Sequence, residues 1–301
     1  MKLAHYLKGG KVRVGVVDGD TLYDLQETSS SAETELVPSG ATIDSLLVAG
    51  RLDGLVSRAD SLTRGRGRAV SKLRLKPPVL SPEKILLVAI NYHSHSKEQN
   101  IHPPKFPYFF TKFRSALLGP GEPILLPKVS TKVDWEVELA VIIGRGGKYI
   151  SRERAKEHIA GYTVANDVSF RDLQYPPGWP EKLNPLGMNW VKGKALDSSL
   201  PLGPWLVTRD EISDPHALRL RLRVNGETKQ DSSTSDMVFD IGRLIEYASA
   251  GITLRPGDVI STGTPLGVSL WGAQRFLAEG DVVEAEVESI GVLRNPVKQE
   301  P

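Results

Sequence analysis

Asp134-Trp-Glu-Val-Glu-Leu-Ala-Val-Ile-Ile-Gly144 sets three acids into a segment that otherwise reads as a buried strand. Strand side chains alternate between faces, so Trp135, Val137, Leu139, Val141 and Ile143 form one apolar face, while Asp134, Glu136, Glu138, Ala140 and Ile142 share the other. Neighbours on one face stand roughly 6.6 Å apart, close enough for carboxylates to repel or to converge on one cation. The acid-bearing face turns apolar within about 20 Å of strand, which suits the mouth of a pocket. Exposed edge strands also carry acids to block edge pairing, so the segment alone leaves a solvated edge and a metal site both open.

Two neighbouring stretches bear on that choice. In Gly161-Tyr-Thr-Val-Ala-Asn-Asp-Val-Ser-Phe-Arg-Asp-Leu-Gln174, Asp167 ends an apolar strand and is followed by Ser169, Arg171, Asp172 and Gln174. Asp167 alone reads as a cap or turn residue. With Glu136 and Glu138 it completes an all-oxygen triad with open coordination positions, which favours Mg²⁺, Mn²⁺ or Ca²⁺ over zinc. The second stretch is Asn91-Tyr-His-Ser-His-Ser-Lys-Glu98. One helical turn brings His95 and Glu98 onto the same face, where a carboxylate orients the imidazole and raises its basicity towards water. His93 competes with His95, and spacing does not choose between them.

Composition narrows the chemistry. The 301 residues include no cysteine and six histidines, which excludes disulfides, thiolate metal sites and a cysteine nucleophile. A hydrophobic content of 40% is ordinary for a globular chain, and a formal charge of +2 points to neither nucleic acid nor a membrane surface. The basic run that starts at Arg64-Gly-Arg-Gly-Arg68 and reaches Lys76 reads as a solvated linker. No apolar stretch follows Met1-Lys2, and Ile85-Leu-Leu-Val-Ala-Ile90 is far short of the roughly 20 residues of a membrane span. A cytoplasmic protein is expected.

Residues 1–78 read as a small amino-terminal α+β domain and linker, and residues 79–301 as the catalytic domain. Lys11 to Val17, the turn Asp18-Gly-Asp20 and Thr21 to Leu25 predict a hairpin, followed by helices over Thr42 to Ala49 and Leu52 to Leu62. Beyond Leu80 short strands and turns dominate. Arg219-Leu-Arg-Leu-Arg-Val224 alternates strictly into Asn225-Gly226, a type I′ hairpin signal. Asp240 caps a helix through about Ala250, with Gly251 as its stop and Ile241, Leu244, Ile245 and Ala248 facing inward. A helix also fits Ser151 to Ile159. The fold class is α+β and β-rich.

Six motifs occur in order: Tyr92-x-x-His95-x-x-Glu98, Asp134-x-Glu136-x-Glu138 running to Gly144, Asn166-Asp167-Val-Ser-x-Arg171-Asp172-Leu-Gln174, Lys194 before Pro201-Leu-Gly-Pro204, Val224-Asn-Gly226, and Thr262-Gly-Thr-Pro265. Together they resemble the fumarylacetoacetate hydrolase family over roughly Leu80 to Val297. The resemblance implies a mixed β-sandwich roll, usually a homodimer. It also implies that Glu136, Glu138 and Asp167 hold Mg²⁺ or Mn²⁺ (with Ca²⁺ as a further candidate), and that His95 and Glu98 activate water on a lid. Lys194, Arg171 and Gln174 then contact the substrate or its oxyanion, and Tyr92 and Thr264 bind the substrate. Lys192 rivals Lys194 but fits the spacing to Pro201 less well. Two departures from the family pattern are the Pro- and aromatic-rich stretch Tyr175 to Trp190 and Ser269-Leu-Trp271, where many relatives carry glycine.

The expected activity is a divalent-metal-dependent hydrolase that cleaves a carbon–carbon bond in an acylpyruvate-type β-diketo acid. Water attacks the distal carbonyl, and the departing enolate is stabilised by the metal and Lys194, giving pyruvate and a carboxylic acid. Oxaloacetate decarboxylation or tautomerisation and 2-hydroxydienoate isomerisation pass through the same enolate and are the alternatives. A non-catalytic reading, a silent binding protein or an RNA binder through residues 64–76, is disfavoured because the run lacks interleaved aromatics.

Overall fold

The computed structural model describes residues 1–28, 37–63, 66–176, 178, 189–272 and 275–301. Its organising element is the strand Val137–Ile143, buried along its whole length. The two faces enter different cores. Val137, Leu139, Val141 and Ile143 pack in one cluster with Leu220, Leu222, Val283 and Ala285. Ala140 and Ile142 pack in another with Leu3, Val14, Ile43 and Leu46. The acid-bearing face therefore turns dry because amino-terminal residues cover it, and each large aliphatic side chain so buried contributes about 1.5–3 kcal/mol relative to exposure.

Two mixed sheets make the sandwich. Across the larger one lie, in spatial order, Arg68–Ala69, Thr21–Asp24, Lys11–Asp18, Lys2–Lys8, Leu200–Thr208, Ile159–Asn166, Val137–Ile143, Val259–Ser261, Ile85–Ala89 and Tyr108–Thr111. Most neighbours are antiparallel, but Val259–Ser261 runs parallel to Ile85–Ala89. The second sheet orders Glu227–Ser233, Arg219–Val224, Val282–Val287, Gly291–Gln299 and Ile124–Leu126. Leu220, Leu222 and Val224 are buried along the strand that alternates with arginines, and Asn225 and Gly226 take φ of 53° and 81° in the expected turn. This is the β-rich α+β sandwich that the strand pattern and the family resemblance predict.

Several elements differ from expectation. Lys2–Lys8, not foreseen as a strand, pairs Lys2 and Leu3 with Val207 and Leu206 and so carries the amino-terminal strands into the main sheet. The second amino-terminal helix divides into Leu52–Val56 and Ala59–Leu62, while the first, Ile43–Val48, starts from a Thr42 capping box. Arg152–His158 is a 3₁₀ helix, not an α-helix: Ala155 and His158, three residues apart, are its buried positions, and Ser151 makes no side-chain cap. Ile241–Ser249 follows expectation, with Asp240 accepting from Arg243 N–H and Gly251 at φ 86°. Arg64 and Gly65, most of residues 175–190, and Ala273-Gln274 lie outside the described residues; within the basic run, Arg68 pairs with Glu27 at 2.6 Å. Among the described residues no helix is long and apolar enough to cross a membrane.

His5 ties these layers together. Its Nδ1 lies 2.8 Å from Pro77 O, and its Nε2 accepts from Ile43 N–H at 2.7 Å. One ring nitrogen must therefore carry hydrogen and the other a lone pair, so the imidazole is neutral. Burial holds it below its ordinary value of 6.5, against the raising effects of the Pro77 bond and Asp44. A folded ring that resists protonation contributes fully above pH 6.5, and the contribution is lost as pH falls towards the lower folded value. Urea denaturation from pH 7.5 down to 5 is expected to show a steeper loss of stability for the parent than for His5→Gln; parallel curves would refute it.

Candidate active site and metal centre

A break in the strand pairing builds the site. Val133–Asp134 pairs with Ser169–Phe170, and Val137–Ile143 with Ile159–Asn166, so the expected continuous strand is interrupted at Trp135 and Glu136. There Glu136 N–H donates to Asn166 Oδ1 and Asp167 N–H donates to Glu136 O, each at 2.9 Å. A side-chain amide replaces one ladder bond, and the carboxylates of Glu136 and Asp167 turn towards each other. Oxygens of Glu136, Glu138 and Asp167, all buried, lie within 4.8 Å of one another. Oxygens on opposite sides of an ion stand roughly 4.0–4.2 Å apart for Mg²⁺ and roughly 4.6–5.2 Å for Ca²⁺, so the spacing suits a hard divalent cation.

The surrounding charges explain how four buried acids coexist. Arg171 Nε donates to Asp134 at 2.8 Å and its Nη2 to Glu136 Oε1 at 2.6 Å. Lys194 Nζ bridges Glu136 Oε2 and Asp167 Oδ2, at 2.7 Å each. Burial by itself would raise the Glu136 carboxyl, but Lys194, then Arg171 and His95, hold it well below the usual range. Glu138 goes the other way: burial, then Asp167 and Glu136, push it well above that range, although Ser261 Oγ and Gly263 N–H donate to it. Lys112 Nζ is 2.7 Å from Asp167 Oδ1 but directs hydrogen bonds to Val168 O and Ser199 O, leaving Oδ1 buried without a hydrogen-bond partner. Burial pushes the Lys112 ammonium down to about 8. Three buried carboxylates with oxygens within 4.8 Å, one of them ionising reluctantly, are what an added cation would satisfy, so the residues present fit a divalent metal.

His95 reaches this centre from the helix His93–Glu98. It is buried and lines the cavity, while His93 is exposed. Its Nδ1 is 3.0 Å from Glu98 Oε2, and its Nε2 is 2.6 Å from the Gln99 side-chain nitrogen. Glu98 Oε1 also accepts from Gly267 N–H at 2.9 Å, latching the helix to the Thr262-Gly-Thr-Pro265 loop. Gly263 sits at φ 92° in that loop, and a Cβ there would come 3.0 Å from Val88 O and from Asn91 Cβ. Asn91 holds the loop by donating to Thr262 O at 2.8 Å.

A small cavity opens over these groups. His95, Gln99, Glu136, Lys194 and Thr264 supply its polar wall; Phe110, Tyr175 and Trp190 supply aromatic wall, with Phe110 and Trp190 rings 4.6 Å apart. Arg171 and Gln174 also line it, and Arg171 Nη1 donates to Gln174 Oε1 at 3.1 Å. Thr264 Oγ1 donates to Val137 O and accepts from Gln230, both at 2.9 Å. Tyr92, expected to bind substrate, is fully buried in the sandwich core at the start of the helix His93–Glu98 and is not among the residues that line the cavity. Lys192 is exposed, whereas Lys194 is buried at the centre. Trp271 is 43% exposed and sits edge-on to Tyr175 at 6.3 Å.

Lys112, Gln99 and Gln230 escaped the sequence reading. Lys112 follows the aromatic run Tyr108-Phe-Phe-Thr111 and resembles a solvated strand end. Gln230 lies in the polar strand Glu227–Ser233, yet its amide is buried against the Thr-Gly-Thr-Pro loop. Gln99 adjoins Glu98, and its i+4 spacing from His95 was the available signal.

Known proteins resemble this chain in sequence and fold. The family model for the fumarylacetoacetate hydrolase carboxy-terminal region matches residues 84–298. A mitochondrial oxaloacetate tautomerase of Xenopus laevis is 49% identical over 228 residues, 75% of this chain and 69% of the relative. The crystal structure of 5-carboxymethyl-2-hydroxymuconate delta-isomerase from Mycobacterium smegmatis superposes with a TM-score of 0.74 at 34% identity, over 100% of both chains. Maleylpyruvate hydrolase from Sphingobium sp. SYK-6, in complex with manganese(II) and pyruvate, superposes with a TM-score of 0.77 at 30% identity, again over 100% of both chains. A family match over more than half the chain, joined to the same ordered motifs and sandwich, makes this protein an enzyme of the fumarylacetoacetate hydrolase family.

Proposed function

We propose that the enzyme interconverts the enol and keto forms of a small 2-oxo dicarboxylate, with oxaloacetate as the reference substrate and Mg²⁺ or Mn²⁺ held by Glu136, Glu138 and Asp167. The observation that carries this reading is the wall of the small cavity beside the triad, where the cations Arg171 and Lys194 stand with the polar side chains of Gln174 and Thr264. Two cations in so small a wall suit a short dicarboxylate. The likeness to an oxaloacetate tautomerase supports the same choice over hydrolysis.

When bound, a divalent ion supplies Lewis-acid polarisation of the 2-oxo group and charge for the adjacent carboxylate. The chain's own groups do the rest. Glu98 fixes the proton on His95 Nδ1, which leaves Nε2 as the base that takes the proton from the enol oxygen and delivers it to C3, or carries it the other way from C3 to the oxygen. Lys194, kept charged because Asp167 and Glu136 outweigh the lowering effect of burial, faces the negative charge that develops on the 2-oxo oxygen. Arg171 holds Glu136 and Asp134 in place, and Gln174 and Thr264 line the wall that faces the substrate carboxylates, with the Thr264 hydroxyl fixed by Val137 and Gln230. A proton moves between carbon and oxygen, no carbon–carbon bond breaks, and no water is consumed.

Acylpyruvate hydrolysis stands second, favoured by the His95–Glu98 pair and by the likeness to maleylpyruvate hydrolase. The deciding experiment supplies enol-oxaloacetate and a set of acylpyruvates with Mg²⁺ or Mn²⁺, follows the enol absorbance and identifies products by mass. Ketonisation without pyruvate or CO₂ beyond the metal-only control is expected. Acylpyruvate cleavage as the faster reaction would restore the hydrolase; enzyme-dependent CO₂ would mean a decarboxylase. Assembly as a homodimer, which the family resemblance implies, belongs to the proposal and is read by light scattering.

A further inference from the structure

The lid helix carries a third side chain aimed at the same imidazole. His95, Glu98 and Gln99 stand at positions i, i+3 and i+4, so all three share one face of His93–Glu98 and its C-cap. An ionised Glu98 only accepts hydrogen bonds, so Nδ1 carries the hydrogen and the lone pair lies on Nε2. The Gln99 carboxamide nitrogen, 2.6 Å away, donates to that lone pair. Both residues line the cavity, and His95 is only 5% exposed. The nitrogen that would draw a proton from water is therefore filled by a tethered amide.

We infer that Gln99 is a specificity-determining residue: its carboxamide occupies the water position at His95 Nε2 and steers the enzyme to proton transfer on carbon, away from hydrolysis. The inference rests on the tautomerase reading. The physical ground is competition for one site. A tethered amide acts at high effective concentration, whereas a free water gives up entropy to be immobilised there. A chelating dicarboxylate brings enough binding energy of its own to displace the amide and place its C3–H at Nε2. Hydrolysis needs water at that nitrogen to add to the distal carbonyl. The bond between the acyl carbon and C3 then breaks, its electron pair passes to the pyruvate enolate, and protonation of C3 completes pyruvate beside the carboxylic acid. Tautomerisation needs only the proton exchange.

Gln99 is half-buried at the helix end, so small replacements are compatible with the fold. Gln99→Ala and Gln99→Ser are compared with the parent in Mg²⁺ on two substrates: enol-oxaloacetate by ketonisation, and an acylpyruvate by release of carboxylic acid labelled from H₂¹⁸O. The expected result is a rise of about tenfold or more in the ratio of labelled acid to ketonised oxaloacetate in either variant, equivalent to removing roughly 1.4 kcal/mol of discrimination against water. An unchanged ratio in a folded variant that still ketonises oxaloacetate would overturn the inference. So would a parallel fall in both activities, because a merely structural residue lowers both. Should the parent fail to ketonise oxaloacetate, the tautomerase reading falls, while the ratio of acid release between variant and parent still reports whether Gln99 keeps water from His95.

Discussion

Asp167→Ala is expected to abolish stabilisation by divalent ions and to lower activity by about 10³-fold or more, the equivalent of roughly 4 kcal/mol of transition-state stabilisation. The triad has three carboxylates within 4.8 Å, and the two oxygens of Asp167 face Lys112 and Lys194 at 2.7 Å each. Removing Asp167 deletes one of three oxygen donors and leaves both lysines without that counter-charge. In the parent, Mg²⁺ or Mn²⁺ at about 100 times its dissociation constant should stabilise by roughly 2.7 kcal/mol. Differential scanning fluorimetry with and without metal reads this directly, and an undiminished metal-induced rise in Tm for Asp167→Ala would show that the ion does not use this carboxylate. The informative quantity is the response to metal, since the variant's baseline Tm also shifts as buried charges lose a partner.

Lys194→Met is expected to destabilise the metal-free protein by about 3 kcal/mol, because it strips one partner from buried Glu136 and Asp167. Metal should then stabilise the variant more than it stabilises the parent, as the ion supplies the positive charge that the lysine supplied. Activity should still fall by roughly 10²-fold, the loss typical of removing one donor to a developing oxyanion. Equal metal-induced shifts in variant and parent would mean that Lys194 and the cation do not share the two carboxylates. Paired urea titrations, run with chelator and with Mn²⁺, separate the two effects.

Both predictions depend on residues that were legible in the sequence to different degrees. The triad was legible because alternation puts Glu136 and Glu138 on one strand face and because Asp167 ends an apolar run. His95 and Glu98 were legible through helical spacing. Tyr92 was read as a substrate contact from its place in the His95 motif, and its burial in the core at the helix start could not be seen from spacing. Ser151 to Ile159 misled, since the apolar spacing that suggests an α-helix is also met by the 3₁₀ helix whose buried residues fall three apart. Lys112 was illegible, because nothing near it in the chain shows that Val168 O and Ser199 O will meet it 56 and 87 residues later.

By itself the sequence determined the class of the fold, the acid face of the central strand, the capped helix from Asp240, the hairpin at Asn225-Gly226 and the residue types of a hard-metal site. All of these follow from periodicity and turn chemistry, which act within a few residues and need no knowledge of what packs where. Only the tertiary structure decided that amino-terminal residues seal the far face at Ala140 and Ile142, that Asn166 breaks the strand at Glu136, and that Glu138 is held by Gly263, 125 residues away. Those outcomes depend on which strands pair and in which register, and pairing is chosen by the burial and hydrogen bonding of the whole chain at once.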